Sequence, residues 1–221
     1  VYFTSMPEPM RILVVQPSWV GDAVMATPTL RSIRELYPNA QISYLMRRYV
    51  KPIYTGMPWA DKLITYRTGR TSKKAGKGQF FDLAARLRAR KFDLAILLPN
   101  SFKTALICKM AGINRVVGYE RDGRGFLLTD KLLPLRHQGQ YVPTPIVNYY
   151  LALARYLGAG DRDTTMQLFV TDAEKREAID VITRAGLDPS VGCVKRTTQS
   201  GALHAPYKRS PLVILNPGAQ Y

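Results

Sequence analysis

Apolar residues in this chain alternate between short continuous runs and stretches where they recur every three or four positions. The first run, Ile12 to Val15 within Arg11–Gln16, predicts a strand buried on both faces. It breaks at Pro17 and Ser18 and turns on Gly21. Leu30, Ile33, Leu36 and Tyr37 then repeat at helical spacing until Pro38-Asn39 stops them. Thr27 and Pro28 suit either the cap and first residue of that helix or a kink in one begun at Asp22. Gln41–Met46 and Lys62–Tyr66 predict two further strands, separated by a basic, aromatic segment (Arg47 to Tyr54) and a break at Met57-Pro58. Phe80–Arg90 reads as an amphipathic helix with Phe81, Leu83, Ala84 and Leu87 inward. Phe92–Leu98 is a fourth strand, followed by Pro99-Asn100-Ser101, a helix over Phe102–Ala111 capped by Gly112, and a fifth strand over Ile113–Val117. Strand and helix alternate throughout, which predicts an α/β, doubly wound, Rossmann-like domain with a parallel sheet.

Beyond residue 117 the pattern loosens. Gly118–Gly125 (GYERDGRG) reads as a loop and Gln138–Pro145 as an irregular linker. Ile146–Leu157 is a strong helix whose Tyr149, Tyr150 and Tyr156 are read as core and rim packing. Asp172–Ala185 is a charged helix capped by Thr171 or Asp172. The expected division is a disordered or artificial start at 1–9, a Rossmann-like domain at 10–185, a basic linker or insertion at 186–211, and at 212–221 the first strand of a second domain. That last strand, Leu212–Leu215, enters Asn216-Pro217-Gly218 and begins a new unit without completing one.

Charge changes the picture most. Thirty-two Lys and Arg against sixteen Asp and Glu give a net +16. Such a field attracts polyanions: nucleic acid, anionic lipid or a phosphorylated glycolipid. Two cysteines and two histidines offer neither a disulfide framework nor a metal cluster, and point to a reducing compartment. The basic stretch Gly69–Gly78 (GRTSKKAGKG) fails as a phosphate loop. Thr71 stands where the first glycine belongs and Gly78 where a Ser or Thr belongs. It is read as a mobile surface loop. No apolar run reaches the roughly 18 to 20 residues of a membrane span.

The first turn lacks the G-x-G-x-x-G dinucleotide fingerprint and carries S-W-V-G-D instead. Gly21 permits close approach of a ligand, and the backbone N–H groups beside it suit an anion or a sugar oxygen. Asp22 is either a reactive carboxylate at the mouth of the sheet or a first-turn acid complementing the helix dipole, and in that position it is expected to keep a low pKa. Asn100, Ser101 and Lys103 follow the fourth strand, on the same sheet edge. They suit sugar hydroxyls and a phosphate or carboxylate, or else cap the next helix. Arg121 and Arg124, after the fifth strand, suit an acidic acceptor or a solvated turn.

Several ordered blocks carry a resemblance: Q-P-S-W-V-G-D-A-V-M-A-T-P-T-L-R, M-P-W-A-D-K, L-P-N-S-F-K-T-A-L, G-Y-E-R-D-G-R-G-F-L-L-T-D and N-P-G-A-Q-Y. Together they resemble the ADP-heptose:lipopolysaccharide heptosyltransferases, with P-S-W-V-G-D and L-P-N-S-F-K typical of the branch that adds the second heptose. The resemblance implies a GT-B glycosyltransferase of which this chain is the amino-terminal, acceptor-side half. It implies inverting, metal-independent transfer of heptose from ADP-heptose to a heptosyl–Kdo–lipid A acceptor, without a cofactor, at the cytoplasmic face of the inner membrane. Asp22 becomes the general base. Val20 and Gly21, with Gly218 and Ala219, fall on the donor side; Ser18, Trp19, Asn100, Ser101, Lys103, Arg121 and Arg124 fall on the acceptor side. This half alone is expected to be inactive. The alternatives are a relative with another sugar specificity and a basic nucleic-acid-binding module; the latter rests on charge alone.

Overall fold

The structure, a computed structural model, describes residues 10–66, 73–160 and 163–186. The strands are β1 (Arg11–Val15), β2 (Gln41–Arg47), β3 (Lys62–Tyr66), β4 (Leu94–Leu97), β5 (Arg115–Tyr119) and β6 (Asp130–Leu132). They form one sheet, all neighbours parallel, in the order β3-β2-β1-β4-β5-β6. This is the doubly wound order, whose switch point lies between β1 and β4. The Leu98 N–H donates to the Val15 carbonyl at 3.2 Å, which carries the β1–β4 ladder up to the turns that leave both strands.

Alternation along each strand builds two cores. Ile12 and Val14 of β1, with Ile42, Tyr44 and Met46 of β2, face one side of the sheet. There they meet α1 (Val20–Met25), α2 (Thr27–Leu36) and α6 (Ile146–Tyr156) through Ala23, Ala26, Leu30, Ile33, Tyr150 and Leu153. Leu13 and Val15 face the other side with Leu45, Ala95 and Leu97. They pack on α4 (Lys73–Arg88) and α5 (Phe102–Met110) through Leu83, Leu87, Ala105 and Cys108. Burial pushes the Cys108 thiol up to about 12. No described helix is long and apolar enough to cross a membrane.

The ambiguity at Thr27-Pro28 resolves into two helices. α1 runs only to Met25, and α2 starts at Thr27 with Pro28 in its first turn. Pro28 has no N–H for the Val24 carbonyl, so the Thr27 hydroxyl donates to it instead at 2.8 Å. Asp22 therefore rides on a short helical segment of its own.

Several local expectations need correction. The helix expected from Phe80 starts at Lys73, so it takes in Lys73–Gly78 of the anticipated loop; residues 69–72 lie outside the described set. Its buried stripe is Leu83, Ala84 and Leu87 with Phe80 packed against them, and Phe81 is exposed. Positions 80, 83, 84 and 87 share one helical face, whereas 81 is a third of a turn away. Basic, aromatic Arg47–Tyr54 contains a 3₁₀ turn (Arg48–Val50) and a single helical turn, α3 (Lys51–Tyr54). The loop after β5 is shorter than expected because β5 takes in Gly118 and Tyr119. The edge strand β6 was not foreseen. The start of the anticipated linker at 138–145 is half of a hairpin, β7 (Arg136–His137) and β8 (Gln140–Tyr141), turning on Gln138 and Gly139 with φ of 49° and 79°.

Among the described residues, those through Lys175 belong to one compact unit and those from Arg176 to a second. α7 (Asp172–Arg184) is capped by reciprocal bonds between Thr171 and Glu174: each side chain bonds the other residue's backbone N–H. In the second unit the Arg184 guanidinium pairs with Asp180. The expectations for 1–9, for 212–221 and, beyond Gly186, for the linker lie outside the described residues.

Gly118 faces Leu97 across the β4–β5 ladder. A Cβ there would stand 3.3 Å from the Leu97 Cβ and 3.2 Å from an Arg124 guanidinium nitrogen. Gly118→Ala is expected to cost about 1–3 kcal/mol in urea unfolding, because a neighbouring strand cannot retreat as a flexible side chain can.

Candidate active site

The turns after β1, β4, β5 and β6 all open at the carboxyl edge of the sheet, where open α/β folds place ligands. They surround a cavity of about 890 Å³. Pro17, Ser18, Trp19 and Asp22 line it from the first turn, Leu98, Pro99 and Asn100 from the second, and Tyr119 and Arg121 from the third. Lys131 to Leu135, the β8 end of the hairpin, and Tyr149, Tyr150 and Tyr156 of α6 complete the wall.

Asp22 sits in the first turn of α1, half-buried. It does not cap the helix: the cap position is Trp19, and no side chain bonds there. Among the described residues its carboxylate has neither hydrogen-bond nor ion-pair partner. Contrary to the low pKa expected of a first-turn acid, burial raises it above the ordinary 3.8. The hydroxyls of Tyr150 and Tyr54 feel its charge, and burial with that charge pushes both upward. The Tyr54 hydroxyl is buried, with no hydrogen-bond partner among the described residues. A carboxylate left unpaired beside a cavity and made more basic by its surroundings is equipped to take a proton from a bound hydroxyl.

The opposite wall is built around a buried cation. Arg124, expected at the ligand, is fully buried. Its Nε donates to the Tyr119 carbonyl at 3.0 Å, one terminal nitrogen to the Pro99 carbonyl at 2.5 Å, and the other to Asn100 Oδ1 at 3.2 Å. Burial lowers its pKa to about 10, so it remains charged at neutral pH. Arg124 is buried because its guanidinium replaces water for the backbone of the turn after β4, and it braces that turn against β5. Tyr149 stacks on Tyr119 with centroids 3.7 Å apart, and its hydroxyl donates to Asn100 Oδ1 at 3.1 Å.

Arg121 does face the cavity. Its guanidinium lies 4.2 Å from the centre of the Tyr141 ring, with Arg136 on the same ring at 4.5 Å. This ties the β7–β8 hairpin to the rim. Arg121 and Lys131 have no carboxylate partner among the described residues, which leaves both charges available to an anionic ligand.

The structure thus brings Ser18, Trp19, Asp22, Asn100 and Arg121 together. Val20 and Gly21 are exposed on the first turn of α1 and do not line the cavity. Ser101 and Lys103 are exposed at the start of α5, also off the wall, and Ser101 occupies the cap position without a side-chain bond. Gly218 and Ala219 lie outside the described residues. The sequence reading missed Lys131, Tyr119 and Tyr141 at the site. It assigned Tyr149 and Tyr150 to packing, although their helix carries a polar Asn148 beside them that also lines the cavity.

The family model for glycosyltransferase family 9 (heptosyltransferase) matches residues 80–221. The chain is 31% identical over 209 residues to lipopolysaccharide heptosyltransferase 2 of Escherichia coli (strain K12), an alignment covering 91% of this chain and 57% of that protein. It is 35% identical over 145 residues to lipooligosaccharide heptosyltransferase 2 of Haemophilus ducreyi, covering 66% of this chain and 39% of the relative. The solved structure of ADP-heptose lipopolysaccharide heptosyltransferase II of E. coli superposes with a TM-score of 0.63 at 29% identity, over 81% of this chain and 52% of that one. The chain therefore spans little more than half the length of such relatives. With the doubly wound sheet, these matches identify the chain as a member of glycosyltransferase family 9, the heptosyltransferases.

Proposed function

We propose that this chain forms the acceptor-side half of an inverting heptosyltransferase that moves heptose from ADP-heptose to the inner core of lipopolysaccharide. The observation that carries the reading is Asp22: an unpaired carboxylate of raised pKa facing a cavity whose other wall offers Asn100, Arg121 and Lys131. Asp22 accepts the proton of an acceptor hydroxyl as that oxygen forms its bond to the anomeric carbon. The bond from that carbon to ADP breaks on the opposite face, and ADP leaves with the electron pair. Arg121 and Lys131 hold the acid groups of a heptosyl–Kdo–lipid A acceptor. Val20 and Gly21 approach the donor through their backbone. Relatives run well beyond this length, so we assign most of ADP recognition to a carboxyl-terminal domain, with Gly218 and Ala219 at its edge. No metal or cofactor is required in this scheme. The +16 charge draws the protein to the cytoplasmic face of an anionic membrane, at about 1 kcal/mol per basic residue close to the surface.

The test is transfer by the intact protein, with ADP-heptose and heptosyl–Kdo–lipid A, followed by the mass of the acceptor. A gain of one heptosyl group is expected; a gain from another nucleotide sugar alone would favour the other-sugar alternative. The same assay run against pH should show kcat/KM falling on the acid side as Asp22 takes up a proton. The midpoint should lie above the ordinary aspartate value of 3.8. An acid limb unchanged in Asp22→Glu and Asp22→Asn would assign the titration to another group.

A further inference from the structure

The turn after β4 contains one amide whose orientation is fixed by chemistry. Asn100 Oδ1 receives two hydrogen bonds, from an Arg124 terminal nitrogen at 3.2 Å and from the Tyr149 hydroxyl at 3.1 Å. A guanidinium has no lone pair to offer, so the Asn100 atom that faces it must be the oxygen. The amide nitrogen then points the other way. Among the described residues it has no partner, it is not among the buried polar atoms left unbonded, and Asn100 lines the cavity.

We infer that Asn100 is a dedicated hydrogen-bond donor of the acceptor subsite, held with its NH₂ toward the cavity by Arg124 and Tyr149, and that it recognises an acceptor oxygen with lone pairs: a sugar carboxylate or a ring or hydroxyl oxygen of the saccharide. Arg124 and Tyr149 are positioning residues that act through it. Arg124 is the stronger of the two. It also binds the Pro99 carbonyl next door at 2.5 Å, so the backbone that carries Asn100 and the side-chain oxygen are clamped by one rigid fork. The Tyr149 ring is itself held by its stack on Tyr119, at 3.7 Å with planes 11° apart. The Asn100 amide cannot flip to offer its oxygen without leaving two donors unpaired, one of them the buried cation. A site built this way discriminates, because a group that can only donate, such as an ammonium or an amide N–H, meets a second donor where an oxygen lone pair is needed.

The inference rests on the heptosyltransferase reading, and its test separates the two. The decisive variant is Asn100→Asp in the intact protein. An aspartate is isosteric and accepts from Arg124 and Tyr149 as the amide oxygen does, so the fold keeps its clamp. Its second oxygen, however, turns a donor into a negative acceptor. With heptosyl–Kdo–lipid A as the varied substrate, the acceptor KM should rise at least tenfold while the KM for ADP-heptose stays within twofold and the unfolding midpoint is retained. Asn100→Gln, which keeps the chemistry but not the reach, should not rescue the acceptor KM. Arg124→Lys should raise the acceptor KM in the same direction, because an ammonium lacks the rigid fork whose separate nitrogens reach Tyr119, Pro99 and Asn100. A wild-type enzyme that transfers heptose, with an Asn100→Asp variant whose acceptor KM is unchanged, overturns the inference and leaves the function standing. A wild-type protein that transfers no heptose removes the function and the inference with it.

Discussion

Asp22→Asn, in the intact protein, is expected to lower kcat for heptose transfer by about 10²–10⁴-fold, the span of a lost general base. The KM for ADP-heptose should hardly move. The carboxylate makes no protein contact that the amide would break, so the loss belongs to proton removal and not to a rearranged turn. Stability moves the opposite way. A carboxyl whose folded pKa lies above its unfolded value burdens the fold at neutral pH, where it is ionised in both states. That burden disappears as the pH falls below the unfolded value near 3.8. Asparagine carries no such charge, so the variant should unfold at the same urea concentration as the parent or a higher one at pH 7, and the two should converge in acid. An inactive variant that is also less stable at pH 7 would point instead to a structural role for Asp22.

The second large effect is on stability. Arg124→Met removes the guanidinium bond to the Pro99 carbonyl and one of the two donors to Asn100 Oδ1, whose bond from the Tyr149 hydroxyl remains. The Tyr119 and Ser101 carbonyls keep other donors, from Arg121 N–H and from the Thr104 hydroxyl, so they add little. The Pro99 carbonyl left unpaired at about 1–3 kcal/mol, with a smaller loss at Asn100 Oδ1 and less what is recovered by no longer burying a guanidinium, leaves an expected loss of about 1–3 kcal/mol in urea unfolding. Arg124→Lys should recover part of it. A methionine variant as stable as the parent would show that the turn after β4 holds its shape unaided.

What the sequence made legible follows from where local pattern and tertiary demand agree. Ile12–Val15 and Leu94–Leu97 are buried on both faces, so their apolar runs announce them, and the turns that follow inherit their positions. β6 escaped notice because an edge strand of Asp130, Lys131 and Leu132 needs only one apolar residue. The β7–β8 hairpin has no alternation at all, and its signal is confined to a glycine preceded by a polar residue. Arg124 was misplaced for a deeper reason. Within G-Y-E-R-D-G-R-G nothing local distinguishes it from Arg121, and one is a strut while the other faces the cavity. That difference is decided by Pro99 and Asn100, which lie a whole strand–helix unit upstream. Phe80 and Phe81 pose the same problem over a single residue: both fit an amphipathic pattern, and only the packing against β-strand residues chooses.

The strand order has a kinetic consequence. β1 and β4 are neighbours in the sheet, yet the bond from Arg11 N–H to Asp93 that joins their starts closes a separation of 82 residues. Closing a flexible loop of that length costs about 4 kcal/mol of chain entropy. The β1–β2 pairing, which is more local, can form before it. Asp22 and Asn100 therefore acquire a common cavity only after the long-range closure, when the sheet has joined across its switch point. Refolding followed by a ligand that needs both walls should lag behind refolding followed by secondary structure, so that recovery of the site reports completion of the sheet.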